Sequence, residues 1–241
     1  MLIEEARATV SARAHRYVES QSHIATSQYV DTEAEQLRLE ELLEANKPRI
    51  PDDARGLDWL LRSPFRYPPL PYGSRFGSSR ERGILYLSES IEALECEMAF
   101  YAFKFLEAME APPARPIRRS VNVVDIPVRT AKGIDLTRVA EADWRPLVDP
   151  DSWAASRRFG TRARAAGAQA IRYPAARVPP RPTIAHCNVA VLAPAAVAHA
   201  GRPPIRNSYQ LITSPDGVLQ QNATKRSTRY FPAAGLLSRP F

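Results

Sequence analysis

The sequence predicts an α+β fold, and three observations lead there. Short runs rich in apolar and β-branched residues, Ile84–Leu87, Ile117–Val128 and Asn188–Leu192, read as strands. Behind Ser90, residues Leu94, Met98, Tyr101, Phe105 and Met109 fall at helical spacing and read as the core stripe of an amphipathic helix. Strands and helices do not alternate as βαβ units, which sets aside a doubly wound parallel sheet. At 241 residues and 44% hydrophobic, the chain can bury the core of one large domain. The division expected is a helical extension over 1–56 and a single domain over 57–241.

The elements follow in order. Ile3 to about Gln28 is rich in Ala, Glu and Arg and reads as helix, with a break near Ser20–Ser22. Thr32 and Glu35 have capping-box spacing, so a second helix is expected over Glu33–Asn46, with Ala34, Leu37, Leu42 and Leu43 toward a core and Pro48 as its stop. Gly56–Leu61 reads as a short helix. From Pro64 the prolines favour an extended path, and Gly73, Gly77 and Gly83 let it turn. Strand Ile84–Leu87 precedes the helix that Ser88 or Ser90 can cap, and Pro112–Pro113 end that helix. Ile117–Val128 reads as one strand, or two broken at Pro127, and Ile134–Leu136 as a shorter one. Asp151 is placed to cap a helix over Ser152–Ala166, closed by Gly167. Strands Ala170–Tyr173 and Asn188–Leu192 flank a proline-rich loop, Pro174–Pro182. Tyr209–Thr213 and Val218–Gln221 form a hairpin about Ser214-Pro215-Asp216-Gly217, and Arg229–Phe231 adds a strand.

Composition and motifs then narrow the chemistry. The net charge of +7 favours anionic partners in general, but 33 basic residues are scattered among 26 acidic ones. No apolar run reaches the ~18 residues of a membrane span, and Met1–Arg16 lacks a secretory core, so a cytoplasmic protein is expected. Cys96 and Cys187 form no motif and read as buried free thiols. There is no phosphate loop, no dinucleotide glycine fingerprint and no metal spacing among the four histidines, so no metal is expected. His186 and Cys187 are adjacent on a strand, where side chains point to opposite faces. Glu92 and Glu95 share a helix face that reads as solvated. Glu97 points elsewhere, at the edge of the buried stripe. Two arginines beside aromatics, Arg66-Tyr67 and Arg75-Phe76, lie nine residues apart on the turning segment. Their planar forks suit phosphate oxygens. Tyr86, on the following strand, can be a core tyrosine.

The ordered series Pro64-Phe65-Arg66-Tyr67, Gly73-Ser74-Arg75-Phe76, Gly83-Ile84-Leu85-Tyr86-Leu87 and the helix with Glu97 resembles the RES domain, a family named for an arginine, a glutamate and a serine. Leu57-Asp58-Trp59-Leu60-Leu61 and Ile171-Arg172-Tyr173-Pro174 are similar to its larger members, and the resemblance spans about Leu37–Leu192. It implies an ADP-ribosyltransferase-like mixed β core with flanking helices and NAD as substrate. It also implies a toxin paired with an Xre-like helix-turn-helix antitoxin, and leaves room for a homo-oligomer. The implied reaction cleaves the nicotinamide–ribose bond, with inorganic phosphate or water as acceptor. A transferase acting on a macromolecule, or a weakened binding protein, stays open. By resemblance Glu97 stabilises the oxocarbenium charge, with Arg66 and Tyr86 beside it in catalysis. Arg66 and Arg75 hold the pyrophosphate and Tyr86 stacks. The family serine falls on Ala175 in Tyr173-Pro174-Ala175-Ala176-Arg177, so a hydroxyl is missing, with Arg177 and Asn188 as the neighbours able to compensate.

Overall fold

The computed structural model describes residues 2–20, 29–179 and 182–236. Along the chain these form α1 (Leu2–Glu5), β1 (Arg7–Glu19), α2 (Glu33–Ala45), α3 (Trp59–Arg66), β2 (Leu85–Ser88), α4 (Ile91–Glu107) and β3 (Ile117–Asp135). They continue with α5 (Glu141–Trp144), α6 (Ala154–Ala165), β4 (Ala170–Pro174), β5 (Cys187–Val191), β6 (Ile205–Ser214), β7 (Gly217–Asn222), β8 (Ser227–Pro232) and α7 (Ala233–Leu236). The fold is α+β, as the sequence predicts. The strands lie in the order β1-β2-β5-β4-β3-β6-β7-β8, and β1 also pairs with β3. The first five strands of that order therefore close into a ring, from which β6, β7 and β8 continue as an antiparallel extension. Among the described strands only β3 and β4 run parallel, which makes the sheet mixed.

Strand β3 joins the two parts because it is long. It absorbs both predicted strands and passes through Pro127, which has no N–H to give a ladder but accepts at its carbonyl from the Ala198 N–H at 2.9 Å. Helix α4 lies across the sheet. Its Cys96, Phe100 and Phe103 pack with Val218, Phe231 and Leu236, while Leu94 and Met98 meet Tyr17, Val121 and Tyr209. Burial of each large side chain contributes about 1.5–3 kcal/mol, so this helix is firmly seated. Ser90 caps it, its hydroxyl accepting from the Ala93 N–H at 3.3 Å. The His186 Nδ1 lies 2.9 Å from the same hydroxyl.

Several expectations are corrected. The helix expected over Ile3–Gln28 is strand over Arg7–Glu19, and residues 21–28 of that reading lie outside the described residues. The antiparallel ladder from Arg7↔Ile134 to Glu19↔Val121 outweighs a helix propensity of a few tenths of a kcal/mol per residue. It places Val10 and Ala14 in the core. The capping box of α2 forms, but none of its residues is buried, and Leu37 is 62% exposed. The path through Pro64 is helical: Asp58 caps α3, accepting from the Leu60 N–H at 2.9 Å, and Pro64 lies within the helix. Helix α6 begins at Ala154 after Trp153, without Asp151 as cap. On α4 the buried face is Ala93, Cys96, Ala99, Phe100 and Phe103, whereas Tyr101 and Phe105 are 43% and 57% exposed. Glu95 is also not solvated: it accepts from the Tyr209 hydroxyl at 2.9 Å and pairs with Arg229 at 3.0 Å. Cys96 and Cys187 are buried and free. Among the described residues no helix is long and apolar enough to cross a membrane.

Candidate active site

Helix α4, strand β2, the turn before it and the segment after β4 bring most of the sequence candidates together. The turn at Gly73–Gly77 is held by the Ser74 N–H donating to the Gly77 carbonyl at 2.8 Å. Gly73 has φ +71°, and a Cβ there would lie 2.5 Å from the Gly77 carbonyl oxygen, so a side chain is excluded twice over. Gly160 on α6 lets the turn approach, since a Cβ at that position would run into the Phe76 carbonyl. Tyr86 fastens the turn to the sheet. Its hydroxyl accepts from the Phe76 N–H at 3.0 Å and donates to the Ser74 Oγ at 2.9 Å.

With Phe76 buried in the core, Arg75 points the other way. It is itself buried, and its Nη1 donates to the carbonyls of Asp149 at 2.8 Å and Leu147 at 3.3 Å. Arg66 is placed differently. At the end of α3 its Nη1 pairs with Glu44 at 2.8 Å and its Nε donates to the Pro48 carbonyl at 2.6 Å, so the two arginines share no partner. Lys47 and Arg66 together hold the Glu44 carboxyl down at about 2.

Glu97 lies two turns into α4, half-buried. Its Oε1 accepts from the Asn188 Nδ2 on β5 at 3.4 Å, whereas the Asn188 Oδ1 is buried without a partner among the described residues. Tyr101, one turn further along α4, lies on the same helix face. Although the residue as a whole is 43% exposed, burial at its phenol end, and the Glu97 charge after it, push that phenol up to about 12. Arg177 completes the group. Its guanidinium stacks 3.3 Å from the centre of the Phe100 ring, its Nη2 donates to the Pro150 carbonyl at 2.9 Å, and its Nε is buried without a partner among the described residues. Burial lowers the Arg177 pKa, and Glu97, followed by Tyr101, works against that shift. The buried phenol of Tyr173 is raised by burial, then by Tyr86 and Glu97. These couplings put Glu97, Tyr101, Arg177, Tyr86 and Tyr173 in one electrostatic neighbourhood with Arg75.

Ala175 is close to this group but sealed. It follows β4 in the expected loop and is 0% exposed. Its N–H donates to the His186 carbonyl at 2.7 Å, and it packs with Ala93 and Val178. Ala93 precedes Glu97 by one helical turn, so position 175 lies beneath the face that carries Glu97. The sequence reading missed Tyr101 and Phe100. The signal for Tyr101 was its spacing of four from Glu97, which was absorbed into the supposed core stripe. Among the described residues no group of His, Cys, Asp and Glu is placed to hold a metal ion.

The fold and site together define an α+β protein with a half-buried carboxylate, Glu97, bonded to Asn188 and electrostatically coupled to Arg177, Tyr101 and Tyr173. Residues 48–210 match the family model of the RES domain, and the chain belongs to that family. No curated protein matches the chain. Among solved structures it is similar to a chain of the M. tuberculosis MbcT–MbcA toxin–antitoxin complex, at 18% identity and a TM-score of 0.44, over 89% of this chain and 92% of that one.

Proposed function

We propose that this protein is an NAD-consuming toxin that cleaves the nicotinamide–ribose bond, with inorganic phosphate or water as acceptor. The observation that carries this reading is the Glu97 environment. A carboxylate is held by a single amide, beside a buried acceptor (Asn188 Oδ1) and a buried donor (Arg177 Nε) that have no partner among the described residues. Buried polar groups are rarely left unpaired, because each costs about 1–3 kcal/mol. An unpaired acceptor and an unpaired donor in the neighbourhood of a carboxylate suit a ligand with hydroxyl or amide hydrogens and anionic oxygens. NAD has both.

In this reading the reaction needs little proton transfer. Bond cleavage develops positive charge at the anomeric carbon, and the nicotinamide leaves as a neutral ring. Glu97 stabilises that charge, and Asn188 orients the carboxylate. Arg75 and Arg177 face the pyrophosphate, with Tyr86 and the 73–77 turn as its floor. Arg66 joins them by exchanging Glu44 for phosphate. Its present partner is half exposed, and such pairs contribute only about 0–1 kcal/mol. The RES membership supports an Xre-like antitoxin as partner, and the free Cys96 and Cys187 suit a reducing cytoplasm.

Sealed Ala175 favours a second reading, in which the chain is a slow member of its family or a binding protein. One experiment separates the readings: nicotinamide release from NAD by the purified protein, with and without phosphate. Turnover stimulated by phosphate identifies a phosphorylase, and turnover indifferent to it a glycohydrolase. No release, together with retained NAD binding, overturns the enzyme and leaves the second reading.

A further inference from the structure

A second cleft lies at the open edge of β1. Strand β2 pairs with β1 at His15↔Ser88, and beyond His15 no described strand pairs with that edge of β1. The cleft there has a volume of about 310 Å³ and is lined by Arg16, Glu19, Arg119, Trp59, Ser63 and Met98, among others. Two cations stand against one anion. Arg119 is spent on Glu19, with its Nε donating at 2.8 Å. Arg16 is the surplus charge. Its Nη1 is shut off from solvent and has no partner among the described residues. Burial alone pulls the Arg16 pKa down to about 10, with no carboxylate to restore it.

An uncompensated buried cation is costly, and an oxyanion placed against a guanidinium removes that cost. The remaining walls decide the rest of the ligand. Trp59 is 42% exposed, and Met98 also lines the cleft. A volume of this size is at the small end of ligand pockets, about 300–1,000 Å³. We infer that the Arg16 cleft binds a small carboxylate with an apolar or aromatic body, its head on the Arg16 guanidinium and its body against Trp59 and Met98. This site is separate from the Glu97 group and does not depend on the reading given to it.

The test uses the full chain and benzoate as probe, with benzamide as its neutral counterpart and inorganic phosphate as the bare oxyanion. The chain has three methionines, so methyl-labelled methionine gives a local readout. Benzoate is expected to shift the Met98 methyl signal saturably and leave Met109 unmoved. Benzamide and phosphate should bind at least tenfold more weakly. Arg16→Met is expected to abolish the benzoate response and, without ligand, to raise the melting temperature by about 2–4 °C or more, because it removes an unpaired buried charge. Arg16→Gln, a second neutral variant, should lose the response in the same way. Equal responses to benzoate and benzamide would overturn the proposal, as would benzoate binding that survives in either variant. Phosphate binding as tight as benzoate would overturn the apolar body. A fall in melting temperature for Arg16→Met would show an arginine that holds the fold rather than a ligand.

Discussion

Replacing Glu97 by Gln separates a residue kept for chemistry from one kept for the fold. In the native protein the Asn188 amide spends its Nδ2 on the Glu97 Oε1 at 3.4 Å, a long bond, and leaves its Oδ1 buried and unpaired. A glutamine has nearly the same shape and brings an N–H₂ group of its own. That group can donate to the orphaned Oδ1 while the glutamine carbonyl still accepts from Nδ2. One new neutral hydrogen bond contributes a net ~0.5–1.5 kcal/mol. For a chain of this size that raises the melting temperature by about 1–6 °C. The same change removes the charge that opposes the developing oxocarbenium ion, which should cost at least about 100-fold in turnover. The new bond is set against the loss of the charge that opposes the burial of Arg177, so the expected signature is a protein of near-native stability that still binds NAD and releases nicotinamide at least about 100-fold more slowly. Thermal unfolding and single-turnover kinetics on one preparation measure both. Near-native turnover would remove Glu97 from the mechanism. A lower melting temperature with proportionate loss of NAD binding would show that the carboxylate holds the pocket together and that the argument from the orphaned amide is wrong.

Arg75→Ala should weaken NAD binding by tenfold or more while sparing nicotinamide, which has no phosphate. Arg66→Ala should weaken NAD binding less, because its fork must first leave Glu44, and calorimetric titration of both ligands against both variants tests the order. Ala175→Ser is expected to raise turnover roughly tenfold if the new hydroxyl meets ligand. If it meets only Ala93 and Val178 it should instead destabilise the fold by about 1–3 kcal/mol, so paired rate and stability measurements decide between the two. Stability should also fall on the alkaline side. Burial raises Cys96 and Cys187 to about 11, so the unfolded chain gives up these protons first, and the native state loses ground from about pH 9 to 11. A Cys96→Ala, Cys187→Ala double variant should flatten the unfolding free energy across that window, and an unchanged slope would place its origin elsewhere.

How far the sequence could be read depends on whether a feature is local. The α4 cap at Ser90, the αL closure at Gly167, the hairpin turn about Ser214–Gly217 and the Thr32–Glu35 capping box are fixed by residues a few positions apart, and each stands where the sequence puts it. Strand β1 is not legible locally because its reason is remote. Arg7–Glu19 carries helix-forming residues and becomes strand only because β3, more than a hundred positions away, offers it a ladder. The site divides in the same way. Arg75, Tyr86 and Glu97 sit in a short ordered series, and the fold brings them into one neighbourhood. Tyr86, however, acts through its hydroxyl on the Phe76 and Ser74 turn, a contact that no strand pattern announces. Asn188 reaches Glu97 across ninety-one positions, and Arg177 finds its stacking partner in Phe100 on another element. Arg66 and Arg75 look equivalent in sequence because both precede an aromatic. The difference is that Arg66 ends a helix, so its fork swings to Glu44 and Pro48, whereas Arg75 lies in a turn whose next residue, Phe76, is anchored in the core. An anchored neighbour on a turn fixes where the preceding side chain points. Of the two, Arg75 is the arginine whose place is set by an anchored neighbour, and its fork is held by the Asp149 and Leu147 carbonyls rather than by a carboxylate.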